Sequence, residues 1–308
     1  MTSANDEAPA RIPALVVSGF LGSGKTTLVR KLLEAAQQEG RRVAIVSNEL
    51  GELGVDRALL GQGGEAYVEL EGGCVCCELS DDLVETLQTL YEEVKPHRIV
   101  IETSGVALPF DTQLNFWRDP VRDWVGDDMA VVVVNAEQVA EGRDLEGTFE
   151  DQVSSADLLI VNKVDLVGDD VAKAVIEKLR TIEDEAPIVT SSHGDVDPAL
   201  LFPPSADEVD RTGPAPAHRP HHHEQFDTEL WSPGPAMSLA DIEARLENEP
   251  ELLRAKGFVE RDGRMHVVQV VGRRVEITEA DFRPPEGSKG RIVLIRRSDR
   301  PAVAHAHD

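Results

Sequence analysis

Ile12-Pro-Ala-Leu-Val-Val-Ser18-Gly19-Phe-Leu-Gly22-Ser23-Gly24-Lys25-Thr26 is the stretch on which the fold turns. A short apolar run ends at Gly19. A glycine-rich loop carries the chain to Lys25-Thr26, and a helix-patterned segment follows, with Leu28, Leu32, Leu33 and Ala36 at helical spacing and Gly40 as its stop. The order of strand, G-x-x-x-x-G-K-[ST] and helix is what a phosphate cradle requires. The glycines let backbone N–H groups converge on one point, and the helix amino terminus adds positive dipole. Lys25 then reaches the β- and γ-phosphates, and the Thr26 hydroxyl is offered to Mg²⁺. An incidental glycine turn ending in Lys-Thr would lack the flanking strand and helix.

Working outward, β-branched runs alternate with helix-patterned stretches from residue 11 onward, the signature of a parallel α/β domain. Strands are expected at Ile12–Ser18, 42–47, Arg98–Glu102, 129–134, Leu158–Asn162 and 187–190, with helices at 25–39, 81–94 and 171–182 between them. The fold class is therefore α/β: a P-loop parallel sheet with helices on both faces, over residues 11–200. Pro203, Pro204, Pro214, Pro216 and Pro220 mark residues 201–224 as a linker. A smaller α+β domain is expected over 225–300, with a helix at 238–247 and strands near Phe258 and at 266–271 and 291–296. Residues 1–10 and 301–308 are expected to be disordered.

Two further elements refine the nucleotide reading. Asn162-Lys163-Val164-Asp165 closes an apolar strand and has the form of the guanine-reading N-K-x-D element. A carboxylate at Asp165 accepts from both N1–H and the exocyclic amine of guanine. Adenine offers no such donor pair, so a buried acceptor would stay unpaired. Asn162 is expected to contact the acceptor side of the base while the stem of Lys163 covers the ring, which favours GTP over ATP and disfavours kinase chemistry. Glu102-Thr-Ser-Gly105 follows the strand Arg98–Glu102 and puts an acid at a strand's carboxyl end, where ligands gather in open α/β sheets. Glu102 is the candidate for Mg²⁺ through water, and Gly105 for an N–H to a γ-phosphate oxygen, with its segment ordered by GTP.

Fifty-seven acidic residues against 31 basic give a formal charge of −26, which repels phosphate backbones and anionic lipids and argues against nucleic acid or a membrane as partner. No run reaches the roughly 18 apolar residues that span a bilayer. The first residues lack a basic region followed by an apolar core, so no secretory signal is read and a cytoplasmic location is expected.

The three cysteines are Cys74, Cys76 and Cys77, behind Gly72-Gly73. An odd number packed so closely cannot make a disulfide framework and reads as a metal or redox site. In extended chain Cys74 and Cys76 point to one face and Cys77 to the other, so two thiolates converge at once and a third needs a turn. Thiolates select Zn²⁺ and other borderline or soft ions. Fewer than four fixed ligands leaves such a site able to release its metal. His218, His221, His222 and His223 in the linker are a second set of metal donors or a solvated spacer. His305 and His307 in the tail are weaker candidates.

With these residues in hand, the chain resembles the CobW-type GTPases, a branch of the P-loop GTPases (CobW/HypB/UreG-like) that includes proposed zinc metallochaperones and cobalamin-synthesis proteins. The motifs that carry the resemblance run in order: Gly19 to Thr27, Asn48-Glu49-Leu-Gly-Glu52, Gly72 to Cys77, Glu102-Thr-Ser-Gly105-Val-Ala-Leu-Pro109 and Asn162 to Asp165. Beyond the linker, Arg254-Ala-Lys-Gly-Phe258 and a strand-rich ending are similar to the family's C-terminal domain. The resemblance implies GTP hydrolysis coupled to metal delivery to a client metalloprotein, with Thr27 in the nucleotide loop. It also implies Glu49 in a first switch near Mg²⁺ or the activating water, and Glu52 as an oxygen donor to the cysteine-bound metal. Ser47 stands where some relatives carry an acid.

Zinc is the first choice of metal and cobalt a second. Two other functions fit the same motifs: a regulatory GTPase with a structural zinc, and an insertion GTPase for nickel or cobalt. Lability of the metal separates delivery from a staple, and the N-terminal region lacks the extended histidine tract that nickel handling would favour. No arginine finger or water-positioning glutamine is visible in the motifs, so intrinsic hydrolysis is expected to be slow. Client and oligomeric state are not written in the sequence.

Overall fold

The computed structural model of this chain describes residues 11–47, 66–69, 80–145, 147–203, 226–271, 274–280 and 289–297. These fall into two compact units, divided between Pro198 and Ala199.

In the first unit seven strands form one parallel sheet: β1 (Ile12–Ser18), β2 (Val43–Ser47), β3 (Ala66–Glu69), β4 (Arg98–Glu102), β5 (Val125–Asn135), β6 (Leu158–Asn162) and β7 (Ile188–Thr190), in the order β3-β2-β4-β1-β5-β6-β7. β2, β4 and β6 are buried from end to end, which is why they read as continuous apolar runs rather than alternating ones. All six strands expected from the sequence are present. β5 begins earlier than its apolar core because Val125 to Asp128 also pair with β1.

Alternation along the strands assigns the two faces. Ala14 and Val16 pair with Ile99 and Ile101, and these four pack with Leu83, Leu87 and Leu90 of α2 (Ser80–Val94). On the same face Val132, Val134, Leu159 and Val161 meet Val139 of α4 (Ala136–Glu141), Val153 of α5 (Thr148–Ser154) and Val175 and Leu179 of α6 (Asp169–Arg180). Leu15, Val17 and Val100 point to the opposite face. α1 (Lys25–Gln38) lies over β1 and β4 and buries Leu28, Val29, Leu32, Leu33 and Ala36. Each of the leucines and Val29 contributes about 1.5–3 kcal/mol of transfer free energy, which is what holds the helix against the sheet. A short α3 (Pro109–Gln113) follows β4, with Pro109 in its first turn.

The division falls within the short α7 (Pro198–Leu201), and the second unit holds a five-stranded antiparallel sheet in the order β11-β10-β9-β12-β8. Its strands are β8 (Phe226–Trp231), β9 (Leu252–Arg261), β10 (Arg264–Val271), β11 (Arg274–Glu279) and β12 (Arg291–Arg297). One helix, α8 (Leu239–Glu247), covers one face through Ile242 and Leu246, which pack on Ala255, Val259, Val268, Val270, Ile292 and Leu294. Ser238 and Asp241 close the helix start with a capping box. This is the α+β unit expected after the linker. Among the described residues, no helix is long and apolar enough to cross a membrane.

Candidate nucleotide site

The carboxyl ends of β1, β4, β5, β6 and β7 gather at one edge of the parallel sheet, and the motif residues sit on the loops that leave them. Residues 19–24 connect β1 to α1. Gly24 occupies the helix N-cap at φ 105°, no side chain caps the helix, and no acidic residue stands in its first turn. The amide groups that a Ser or Asp would otherwise satisfy are therefore left to face an anion. In a chain of formal charge −26, an acid-free helix start is a local exception to the composition.

Lys25 is buried, and its ammonium donates to the carbonyl oxygens of Gly19 at 2.9 Å and Phe20 at 3.4 Å, so its charge is held along the loop. The Thr26 hydroxyl donates to Oε1 of Glu102 at 2.7 Å. Glu102 is fully buried at the end of β4, in register with Val17 and with Ser47. A hydroxyl and a carboxylate side by side are the hard oxygen donors that suit Mg²⁺.

At the other end of the loop, Asn162 is buried and joins two segments. Its Nδ2 donates to the Ser23 carbonyl at 2.9 Å, and its Oδ1 accepts from the Gly194 N–H at 3.0 Å. The sequence suggests a contact between Asn162 and the base. In the structure its carboxamide ties the phosphate loop to loop 191–195. Asp165 follows on a 3-10 turn after Lys163, whose φ is 64°, and its carboxylate lies 3.7 Å from Nε2 of His193. Loop 191–195 closes the same end through the Ser191 N–H to the Val161 carbonyl and the Val164 N–H to the Ser191 carbonyl. Sequence reasoning passed over this loop. The signal available was Ser-Ser-His-Gly194 directly after a strand on the ligand side of the sheet.

Gly105 lies in the turn 104–107, where the Ala107 N–H donates to the Ser104 carbonyl and the Ser18 hydroxyl donates to the Ala107 carbonyl. A Cβ on Gly105 would come within 3.0 Å of the Leu21 backbone nitrogen, so this turn lies directly against the phosphate loop. The structure thus brings Gly19, Gly22, Ser23, Gly24, Lys25, Thr26, Glu102, Gly105, Asn162 and Asp165 to one sheet edge. Cys74, Cys76, Cys77, Glu49, Glu52 and the histidines of the linker and tail lie outside the described residues.

Burial lowers the Arg98 guanidinium, which Glu39 partly offsets through an ion pair at 3.0 Å. Burial, then the charges of Arg42, Arg41 and Arg98, lower His97. Hydrogen bonds from Ser238 lower Asp241 in the second unit.

Comparison with known proteins gives three consistent findings. The family model for the CobW/HypB/UreG nucleotide-binding domain matches residues 13–190, and that for the cobalamin synthesis protein cobW C-terminal domain matches residues 229–306. The chain is 34% identical to a zinc chaperone CobW of Sinorhizobium sp, covering 86% of this chain and 87% of the relative. It is 30% identical to a zinc chaperone CobW of Pseudomonas aeruginosa, covering 96% and 90%. The fold matches a crystal structure of the Zn(II)-bound YjiA GTPase from E. coli with a TM-score of 0.50 at 24% identity, over 94% of this chain and 95% of that one.

Proposed function

Because the chain belongs to the CobW/HypB/UreG family, with its nucleotide-binding domain and its CobW C-terminal domain both present, we propose that it is a GTP-hydrolysing metallochaperone. It binds a divalent metal, zinc before cobalt, at Cys74, Cys76 and Cys77 with an oxygen from Glu52, and releases it to a client metalloprotein. The observation that carries the nucleotide half of this reading is the convergence at one sheet edge of the uncapped α1 start, buried Lys25, the Thr26–Glu102 pair and the Asn162–Asp165 segment. The metal half rests on the three cysteines and on relatives named zinc chaperones.

In this reading, Gly19, Gly22, Ser23 and Gly24 wrap the phosphates with backbone N–H groups. Lys25 turns from loop carbonyls to the β- and γ-phosphates, and Thr27 supports the same loop. Thr26 and Glu102 are the residues that would hold Mg²⁺, which when bound would supply positive charge to the phosphate oxygens. Gly105 donates its N–H to a γ-phosphate oxygen, and Glu49 orients the attacking water by family resemblance. Water adds to the γ-phosphorus, the bond to the bridging oxygen breaks, and GDP and phosphate leave. Asp165 reads guanine, with the stem of Lys163 against the ring and Asn162 bracing the pocket wall.

Coupling follows from shared segments. If the γ-phosphate orders the chain around Glu49 and Gly105, the placement of Glu52 relative to the thiolates changes with nucleotide state, and so does metal affinity. The test is zinc stoichiometry and GTP turnover on the full chain and on Cys76→Ala. The proposal expects one tightly held zinc per chain, lost in the variant, while GDP binding persists. Unchanged zinc binding in Cys76→Ala would remove the metal site from this segment, and absence of GTP turnover at saturating Mg²⁺ would remove the enzyme.

A further inference from the structure

Gln152 is a polar side chain in a place that normally goes to an apolar one. It is fully buried on α5, between Phe149 and Val153 of the core. Its Nε2 donates twice, to the carbonyl oxygens of Gly105 at 3.2 Å and Ala107 at 3.0 Å. Its Oε1 is buried with no hydrogen-bond partner among the described residues, and so is the Ser104 hydroxyl in the same turn. Each unpaired buried group costs about 1–3 kcal/mol. A fully buried glutamine that satisfies two carbonyls and leaves its own acceptor open is a costly way to fill core volume, and an aliphatic residue would fill it without that cost.

We propose that Gln152 is a positioning residue for nucleotide hydrolysis: from α5 it fixes turn 104–107, which presents Gly105 to the terminal phosphate, and links that turn to the strand carrying the base-reading segment. This rests on the GTPase reading given above. The linkage is short, because α5 ends at Ser154, the Asp157 N–H donates to the Ala130 carbonyl of β5, and β6 starts at Leu158 and leads straight to Asn162. Clamping the carbonyls of Gly105 and Ala107 fixes the peptide planes that follow these two residues, while the Ser104 carbonyl, which accepts from the Ala107 N–H, shares its plane with the Gly105 N–H, so the clamp holds that N–H through the closed turn. The open Oε1 and the open Ser104 hydroxyl give the turn hydrogen-bonding partners for a second arrangement, in which both are paired. The clamp therefore acts on the state that contains a γ-phosphate and is indifferent to a nucleotide that ends at the β-phosphate.

The experiment uses the full chain and measures affinity for GDP and for a non-hydrolysable GTP analogue, with single-turnover GTP hydrolysis. It is run on wild type, Gln152→Leu, Gln152→Glu and Gly105→Ala. Losing two neutral hydrogen bonds is worth about 10- to 30-fold. Gln152→Leu should weaken the GTP analogue and slow hydrolysis by about that factor while GDP affinity stays within about 2-fold. Gln152→Glu keeps the shape and offers a donor only when protonated, so its defect should deepen as pH rises from about 6 to 9, relative to wild type. It also keeps the question answerable if the leucine variant fails to fold. Equal loss of GDP and analogue affinity, or a pH-independent glutamate defect, would reduce Gln152 to a packing residue and overturn the proposal. An effect in Gly105→Ala with none in either Gln152 variant would overturn the clamp alone. A wild type that fails to hydrolyse GTP or to distinguish the two nucleotides would overturn the GTPase reading itself.

Discussion

Gly24→Ala is the substitution whose cost can be worked most completely from the structure. Gly24 stands at φ 105°, a region that L side chains rarely adopt, and a Cβ there would lie 2.3 Å from Nδ2 of Asn162. The backbone strain is about 1–3 kcal/mol. The clash is with the tip of a side chain, so Asn162 gives way, and its bond to the Ser23 carbonyl is lost. An unpaired buried carbonyl adds about another 1–3 kcal/mol, for about 2–6 kcal/mol in total. Because the second part arises only through Asn162, it disappears when that residue is already alanine. Urea unfolding of wild type, Gly24→Ala, Asn162→Ala and the double variant should therefore give strongly subadditive losses, with a coupling of about 1–3 kcal/mol. Losses that add to within about 0.5 kcal/mol would refute the contact between phosphate loop and base-reading strand.

Three other outcomes follow from the same geometry. Glu102→Gln keeps the hydrogen bond from Thr26 but removes the charge, so half-maximal hydrolysis should need about 10-fold more Mg²⁺ or greater; an unchanged Mg²⁺ dependence would remove Glu102 from the metal site. Asp165→Asn exchanges a pure acceptor for an acceptor and a donor, so the variant should lose guanine nucleotides by about 100-fold and gain xanthine nucleotides, read by competition binding; retained GDP affinity would place base recognition elsewhere. His97 has its pKa held below 6.5 by burial and by Arg42, Arg41 and Arg98, and its Nδ1 accepts the Arg42 N–H at 2.8 Å. The unfolded chain thus binds more protons between the lowered folded value and 6.5, and stability falls as pH drops through that window. His97→Gln should flatten this part of the pH profile in urea unfolding, and an unaltered slope would contradict the assignment.

How much of this was legible in the sequence depended on whether local pattern or tertiary contact decided the outcome. β1, its loop and α1 were legible because an apolar run, glycines and helical spacing all agree. Glu102 was legible as an acid ending an apolar strand. β3 was not, because Ala66–Glu69 is four residues long with no apolar run of its own, and its pairing to β2 supplies what the pattern lacks. β11 is faint in the sequence because Arg274–Glu279 carries only two apolar residues, Val275 and Ile277, among polar and charged ones, and its ladder to β10 makes it a strand. Nothing in the sequence singles out Gln152, a polar residue beside Glu150 and Asp151. Only the packing of α5 beneath turn 104–107 shows that it faces the core. Asn162 was found, but its partners were not, since Gly194 is 32 residues away in sequence and Ser23 is 139.

Zinc affinity measured by competition with a chromophoric chelator, on the full chain saturated first with GDP and then with a non-hydrolysable GTP analogue, reads the coupling of metal to nucleotide most directly. Delivery driven by hydrolysis requires the two dissociation constants to differ by about 5- to 150-fold. Zinc must in turn shift the relative affinity for the two nucleotides by the same factor. Equal zinc affinities in the two nucleotide states, with both nucleotides bound, would contradict a metallochaperone cycle and leave a GTPase beside an uncoupled metal site.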